Sequence, residues 1–302
     1  MNDLVSLLSG RNFEKRTWEE EIAKESFATF SAAVDDFINK VYFERFLMII
    51  QSLGFIEGWM IPQRAAINFA YSLYLYLKTN KILEDWLIEK YVQKWFVFSI
   101  MTDRYSSSVE TKIEKDMKDI KDKGIEETLK DNELKFLSDN SWEYALPGNF
   151  ETTSWSAIPS VYMAAICKQR TKGFLSKNIS VYDMIQGRGD IHHLYPKAYL
   201  ECNRFNKNKY NQIANFVYCE QPINIKIGDN APAVYMKEVV DNFGSADMKL
   251  TGITTMEELK ANLNEYDIPE IIFDGTADNY EAFLAERRKL MAQRLKRYWE
   301  EL

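Results

Sequence analysis

Residues 190–200 read Asp190-Ile191-His192-His193-Leu194-Tyr195-Pro196-Lys197-Ala198-Tyr199-Leu200, and they hold both histidines of the 302-residue chain, side by side. Imidazole exchanges a proton near neutral pH and, in its neutral form, binds metal ions. Any histidine-dependent chemistry of this protein is therefore expected here. The run is strand-like from Asp190 to Tyr195, and a second strand-like run covers Ala214 to Cys219. The polar segment Cys202 to Gln212 separates them, and Gly173 to Asp190 forms an irregular approach in which Gly187 and Gly189 mark turns.

Outward from this stretch the pattern is helical. Amphipathic helices are expected before Asn39, apolar helices over Val41 to Leu53, after Pro62 and over Leu83 to Met101, and a charged surface helix with one buried stripe over Val109 to Leu129. Residues 130 to 160 read as polar loop, and Ile158 to Lys168 as a buried helix. Helices follow from Pro232, over Met256 to Asn264, and over Tyr280 to Leu302. Tyr280, Phe283, Leu284, Met291, Leu295, Tyr298 and Trp299 form the apolar face of the last one. Its cations Arg287, Arg288, Lys289, Arg294, Lys296 and Arg297 read as a solvated face. The aromatics between 86 and 98 read as core, and Arg104 to Ser108 as a helix-capping loop.

Hydrophobic residues make up 46% and the chain has few prolines and glycines, which fits a globular, mainly α protein. Cys167, Cys202 and Cys219 show no CxxC spacing, which argues against a disulfide framework or a cysteine zinc knuckle and suits a reducing cytoplasm. There is no secretory n-region and h-region, and Ala65 to Leu77 is too short to span a bilayer, so no membrane association is expected. The net charge of −7 disfavours nucleic acid as a sum, but its distribution is uneven. From Lys168 to Lys209 nine basic residues face only Asp183, Asp190 and Glu201, a local surplus suited to phosphate. An ordinary solvated surface accounts for the same charges.

Along 190–235 the order is acid, histidine, histidine, proline, then Asn215, Asn224, Lys226 and Pro232-x-x-Tyr235. Phosphodiester hydrolysis needs an activated water and a stabiliser for charge building on the phosphate. An imidazole serves the first need near neutral pH and a hydrated divalent cation the second. One imidazole, one amide oxygen and one carboxylate would suit Mg²⁺, Mn²⁺ or a later transition metal. Strict strand alternation puts His192 and His193 on opposite faces. A site using both therefore requires the chain to leave extended geometry near His193.

The segments DIHHLYPKAYL (190–200), NQIANFVY (211–218) and NIKIGDNAPAVYM (224–236) together resemble the ββα-metal, or HNH (His-Me finger), nuclease motif. More narrowly they are similar to the C-terminal nuclease region of GmrSD-like restriction and phage-defence proteins. KGFLSKNI (172–179), WFVFSIMTDRYSSSVETKIEKDM (95–117) and FLAERRKLMAQRLKRYW (283–299) extend the likeness to most of the chain. The resemblance implies a helical scaffold over 1–170, the nuclease motif over 171–245, and C-terminal helices over 246–302 packing on the scaffold. It implies His193 as general base and Asn215 as the residue that orients the base or supports the hairpin. His192 and Asn224 become metal ligands, with Asp190 an additional or outer ligand. Arg188, Lys197 and Lys226 would hold flanking phosphates of DNA.

Full-length relatives of that kind carry a ParB-like nucleotide-hydrolysing domain with an Asp-Gly-Gln-Gln-Arg motif, and nothing here matches it. Gln63-Arg64 follows Pro62 in apolar surroundings, and there is no P-loop. The chain thus reads as the nuclease half, with a ParB-like domain or subunit as a separate partner. Two other classes stay open: an inactive nucleic-acid- or protein-binding module that keeps the fold, and a different metallo-phosphoesterase.

Overall fold

The structure, a computed structural model, describes residues 31–187, 189–244 and 251–302. It is mainly helical, as the apolar periodicity predicts. The helices expected before Asn39 fall mostly outside the described residues, of which 31–37 are helical. The chain divides into two compact units, one running to Ser138 and including Glu301 and Leu302, the other spanning Asp139–Glu300.

The first unit contains α1 (Lys40–Ser52), α2 (Arg64–Thr79), α3 (Asp85–Met101), α4 (Val109–Lys123) and α5 (Ile125–Phe136). Asn39 caps α1 by accepting from the amides of Val41 and Tyr42. Phe69, Trp95, Phe96 and Phe98 are fully buried, so the aromatic run is core, although Trp86 is exposed. The helix expected over Val109 to Leu129 is broken at Gly124, whose φ of +88° suits glycine. Its second half continues to Phe136, into what reads as loop in the sequence, and short helical turns at Ser141–Ala145 and Pro147–Glu151 occupy more of that stretch. The loop caps α3 as expected, the amides of Asp103 and Arg104 donating to the carbonyls of Ile100 and Ser99, and the side chains of Arg104 and Tyr105 have a further role. Both hydrogen-bond the buried carboxylate of Asp116, and the Tyr105 hydroxyl also accepts from the Trp95 indole N–H.

The second unit contains α6 (Ala157–Lys168), α7 (Val181–Gln186), β1 (Gly189–His193), α8 (Lys197–Cys202) and α9 (Lys207–Tyr210). After these come β2 (Phe216–Glu220), α10 (Gln221–Ile227), α11 (Pro232–Asp241), α12 (Met256–Glu265) and α13 (Tyr280–Glu300). β1 and β2 pair antiparallel, with His192 opposite Val217 and His193 opposite Phe216. The irregular approach to β1 contains α7, started by a capping box in which Ser180 and Asp183 bond each other's backbone amides. Gly189 lets β1 lie against α7: a Cβ there would sit 2.3 Å from that of Met184.

The apolar face of α13 is buried as the spacing requires, and the helix packs on α6. Its cations are not a uniformly solvated face, however. Arg287 and Arg294 are buried too. Arg287 stands three residues after Leu284 and four before Met291, so the apolar repeat itself carries it inward. Arg294 bonds Asp267, whose carboxylate also accepts from the Tyr162 hydroxyl, and it further donates to Gln169 and the Glu265 carbonyl.

Removing one member of such a pair leaves an uncompensated buried charge, at about 3–5 kcal/mol. Asp267→Asn is therefore expected to lower the thermal midpoint by on the order of 10 °C. Lys260→Ala, which breaks the exposed pair with Glu270, should change stability by less than about 1 kcal/mol. Thermal unfolding of the two variants beside the wild type checks the contrast.

Candidate functional site

β1 carries Asp190, His192 and His193, and α10 begins immediately after β2 with Pro222 in its first turn, where proline's missing N–H costs little. This places Asn224 on the short helix that closes the hairpin. The His192 Nδ1 atom lies 2.7 Å from Asn224 Oδ1, although the residues are separated by 32 positions in the chain. His192 is 4% exposed, and its ring is parallel to that of Phe174 within 9° at a centroid distance of 6.1 Å. Its Nε2 is buried without a hydrogen-bond partner. Burial drives its pKa down to about 4, outweighing the upward pull of the Asn224 hydrogen bond. The ring is thus neutral at physiological pH, the state a metal ligand must have.

His193 turns to different company. Its Nε2 lies 3.2 Å from Asn211 Oδ1, and its ring meets Phe216 edge-on at 4.8 Å and Tyr210 at 6.3 Å. Burial lowers its pKa as well, against the Asn211 hydrogen bond that raises it, with Lys197 adding to the decrease. The chain leaves extended geometry at Leu194 and Tyr195, after His193 rather than at it. The two imidazoles therefore diverge as neighbours on a strand do, one toward α10 and one toward the segment before β2.

Asn215 touches neither ring in the hydrogen-bonding pattern. Its Oδ1 accepts from the Tyr195 amide at 2.9 Å, and its Nδ2 donates to the carbonyls of Tyr195 and Tyr210 at 3.1 and 3.0 Å. It is fully buried, and it pins the chain leaving β1 to the chain entering β2. Of the two roles open to it in the sequence, this geometry is that of hairpin support.

Asp190 lies opposite Cys219 and two residues from His192, on the same strand face, roughly 7 Å along the strand. Lys197 is exposed at the start of α8 with Nζ 3.9 Å from Glu201, and Lys226 is exposed on α10. Arg188 lies outside the described residues.

Five residues of the setting were not among the candidate site residues: Phe174, Asn262, Tyr280, Arg287 and Arg288. Phe174 is presented by a loop that Asn262 of α12 holds: its Oδ1 accepts from the Leu175 amide, and its Nδ2 donates to the carbonyls of Gly173 and Ser176. From α13, Arg287 donates to the carbonyls of Ala214 and Phe216, the residues on either side of Asn215. Arg288 donates to Gln212, and the Tyr280 hydroxyl donates to the Lys209 carbonyl. The signal for Arg287 was its place on the apolar face. The others would need knowledge of which segments meet.

Could His192 and Asn224 hold a divalent ion? Ligands about 2.1 Å from an octahedral metal sit roughly 3 Å apart along an edge, close to the observed 2.7 Å. A neutral imidazole and an amide oxygen are suitable donors, so the pair fits once the ring carries its proton on Nε2 and an ion replaces the Nδ1–H hydrogen bond to Asn224, with waters completing the shell. Among the described residues no cluster of three or more histidines, cysteines or acids forms a cage.

The chain is similar to an uncharacterised protein of Methanocaldococcus jannaschii, with 24% identity over 224 residues, covering 68% of this chain and 36% of that protein. It thus spans about a third of the length of that relative. No family profile and no solved structure matches it. No helix among the described residues is long and apolar enough to cross a membrane.

The depressed His192 pKa ties stability to pH. In metal-free buffer the unfolded ring takes a proton below about 6.5, and the folded ring only near 4, so acid favours the unfolded chain. The contribution is whole above about pH 6.5 and falls by about 3 kcal/mol toward pH 4. Urea unfolding of wild type and His192→Gln across that range should show the wild type losing about that much more; parallel curves would mean a solvated ring.

Proposed function

We propose that the chain is a metal-dependent endonuclease of the HNH type that hydrolyses DNA phosphodiester bonds by nicking or cleavage. In this reading β1, β2 and α10 are its ββα-metal element. The observation that carries the proposal is the meeting of His192 Nδ1 and Asn224 Oδ1 at 2.7 Å, the two positions that the resemblance assigns as ligands. A strand histidine and a helix asparagine so far apart in sequence are brought to the spacing of adjacent ligands. Both histidines are also held toward the neutral form, which ligand and base alike require.

His192 and Asn224 would hold the ion, with Asp190 on the same strand face as a further ligand, direct or through water. When bound, Mg²⁺ or Mn²⁺ supplies charge stabilisation at the scissile phosphate and the departing oxygen. His193 takes the proton of the attacking water. Asn215 keeps the backbone on both sides of the hairpin in place and so acts through position. Lys197 and Lys226, with Arg188, would hold flanking phosphates without reading sequence. A setting in restriction or phage defence, a cytoplasmic location, and a separate ParB-like nucleotide-hydrolysing domain or subunit follow from the resemblance. Coverage of only 36% of the archaeal relative is consistent with such further parts.

Nicking of supercoiled plasmid in Mg²⁺ or Mn²⁺ tests this. Wild type is expected to nick and to stop on addition of EDTA, and His193→Ala to lose about 10²–10⁴-fold in rate while keeping its fold by circular dichroism. His192→Ala and Asn224→Ala should weaken Mn²⁺ binding in titration calorimetry. A well-folded wild type inert toward DNA would leave a binding module, and one active only on small phosphoesters would leave a different phosphoesterase.

A further inference from the structure

The contact at His193 Nε2 has no counterpart among the residues that the motif assigns. Asn211 lies in the polar segment between the strands, at the end of α9, and its Oδ1 is the 3.2 Å partner of that nitrogen. A surface asparagine would be a weak anchor, but the backbone of this one and of the residues on either side is tied down. Its own amide donates to the Lys207 carbonyl, and the preceding carbonyl, of Tyr210, accepts from Asn215. The following residue, Gln212, donates to the Lys209 carbonyl at 2.6 Å and accepts from Arg288 of α13. The Lys209 carbonyl also accepts from Tyr280 at the start of α13.

We infer that Asn211 is the positioning residue of the His193 base: its amide oxygen accepts from Nε2–H and so leaves the Nδ1 lone pair to receive the proton. The inference rests on the nuclease reading for its catalytic consequence, but the tautomer it assigns belongs to the folded protein with or without activity. The two ring nitrogens of a neutral histidine are distinct, and the partner of one decides the role of the other. An acceptor fixed opposite Nε2 also sets the ring's rotation about χ2, otherwise a soft torsion. Phe216 and Tyr210 flank the ring from the side and offer it no competing acceptor in their side-chain contacts.

The test uses the whole chain with Asn211→Leu, which keeps approximate size and removes the acceptor, and Asn211→Asp, which restores an acceptor. Long-range ¹H–¹⁵N spectra of histidine-labelled protein read the tautomer directly, and with two histidines in the chain a His192→Gln control assigns them. Wild type should show His193 protonated at Nε2, Asn211→Asp the same, and Asn211→Leu a mixture of tautomers. In plasmid nicking, Asn211→Leu should lose at least about 10-fold in kcat with KM little changed, and Asn211→Asp should recover most of it. Nδ1-protonated His193 in the wild type overturns the inference, as do unchanged spectra in Asn211→Leu or equal losses in both variants. Wild type that does not nick while the tautomer pattern holds refutes the nuclease reading and leaves the positioning contact standing.

Discussion

Two strands of five residues have no core of their own, and a hairpin of that size is marginal in water. What ties its second strand to the rest of the unit is a buried cation on a distant helix. Arg287 reaches the carbonyls of Ala214 and Phe216, on either side of the fully buried Asn215. Burying a guanidinium is costly unless its donors are used. Here Nη1 bonds two backbone oxygens at the entry to β2, while Nε and Nη2 are buried without a partner, so the cation ties the last helix of the second unit to the hairpin with only part of its donors used. Asn215 then ties the chain leaving β1 to the same place.

Burial within that frame decides the state of both imidazoles. For each, a hydrogen bond donated by the ring to an asparagine oxygen favours the charged ring while desolvation disfavours it, and desolvation is the larger effect. Phe174 seals His192 on one side, and Asn262 keeps the loop bearing Phe174 from drifting. Adjacent histidines on a strand cannot point the same way. The fold therefore gives each its own amide partner, Asn224 from the closing helix and Asn211 from the segment before β2.

Several of these features were legible as patterns and others were not. The apolar repeat of α13 located the helix, and spacing alone would have placed Arg287 inside; a face rich in arginine invited the opposite reading. A single helix over 109–129 fits its apolar stripe, yet Gly124 divides it, because a residue at a φ of +88° ends the regular turn. The capping box of Ser180 and Asp183 is visible in the sequence once a helix is sought there, but Gly187 and Gly189 nearby favoured an irregular stretch. Asn211 stands among Asn203, Asn206 and Asn208 in one polar run, and nothing local distinguishes it from them.

By itself the sequence determined a mainly helical chain, the place of the two strands, and the residue types gathered around His192 and His193. These depend on local periodicity and on short motifs, which act over a few neighbouring residues. Tertiary structure decided which asparagine meets which imidazole, that both rings are desolvated, and that the terminal helix grips the hairpin. Those outcomes depend on segments separated by tens of residues being packed together, and burial is a property of the packed whole, carried by no single stretch of chain.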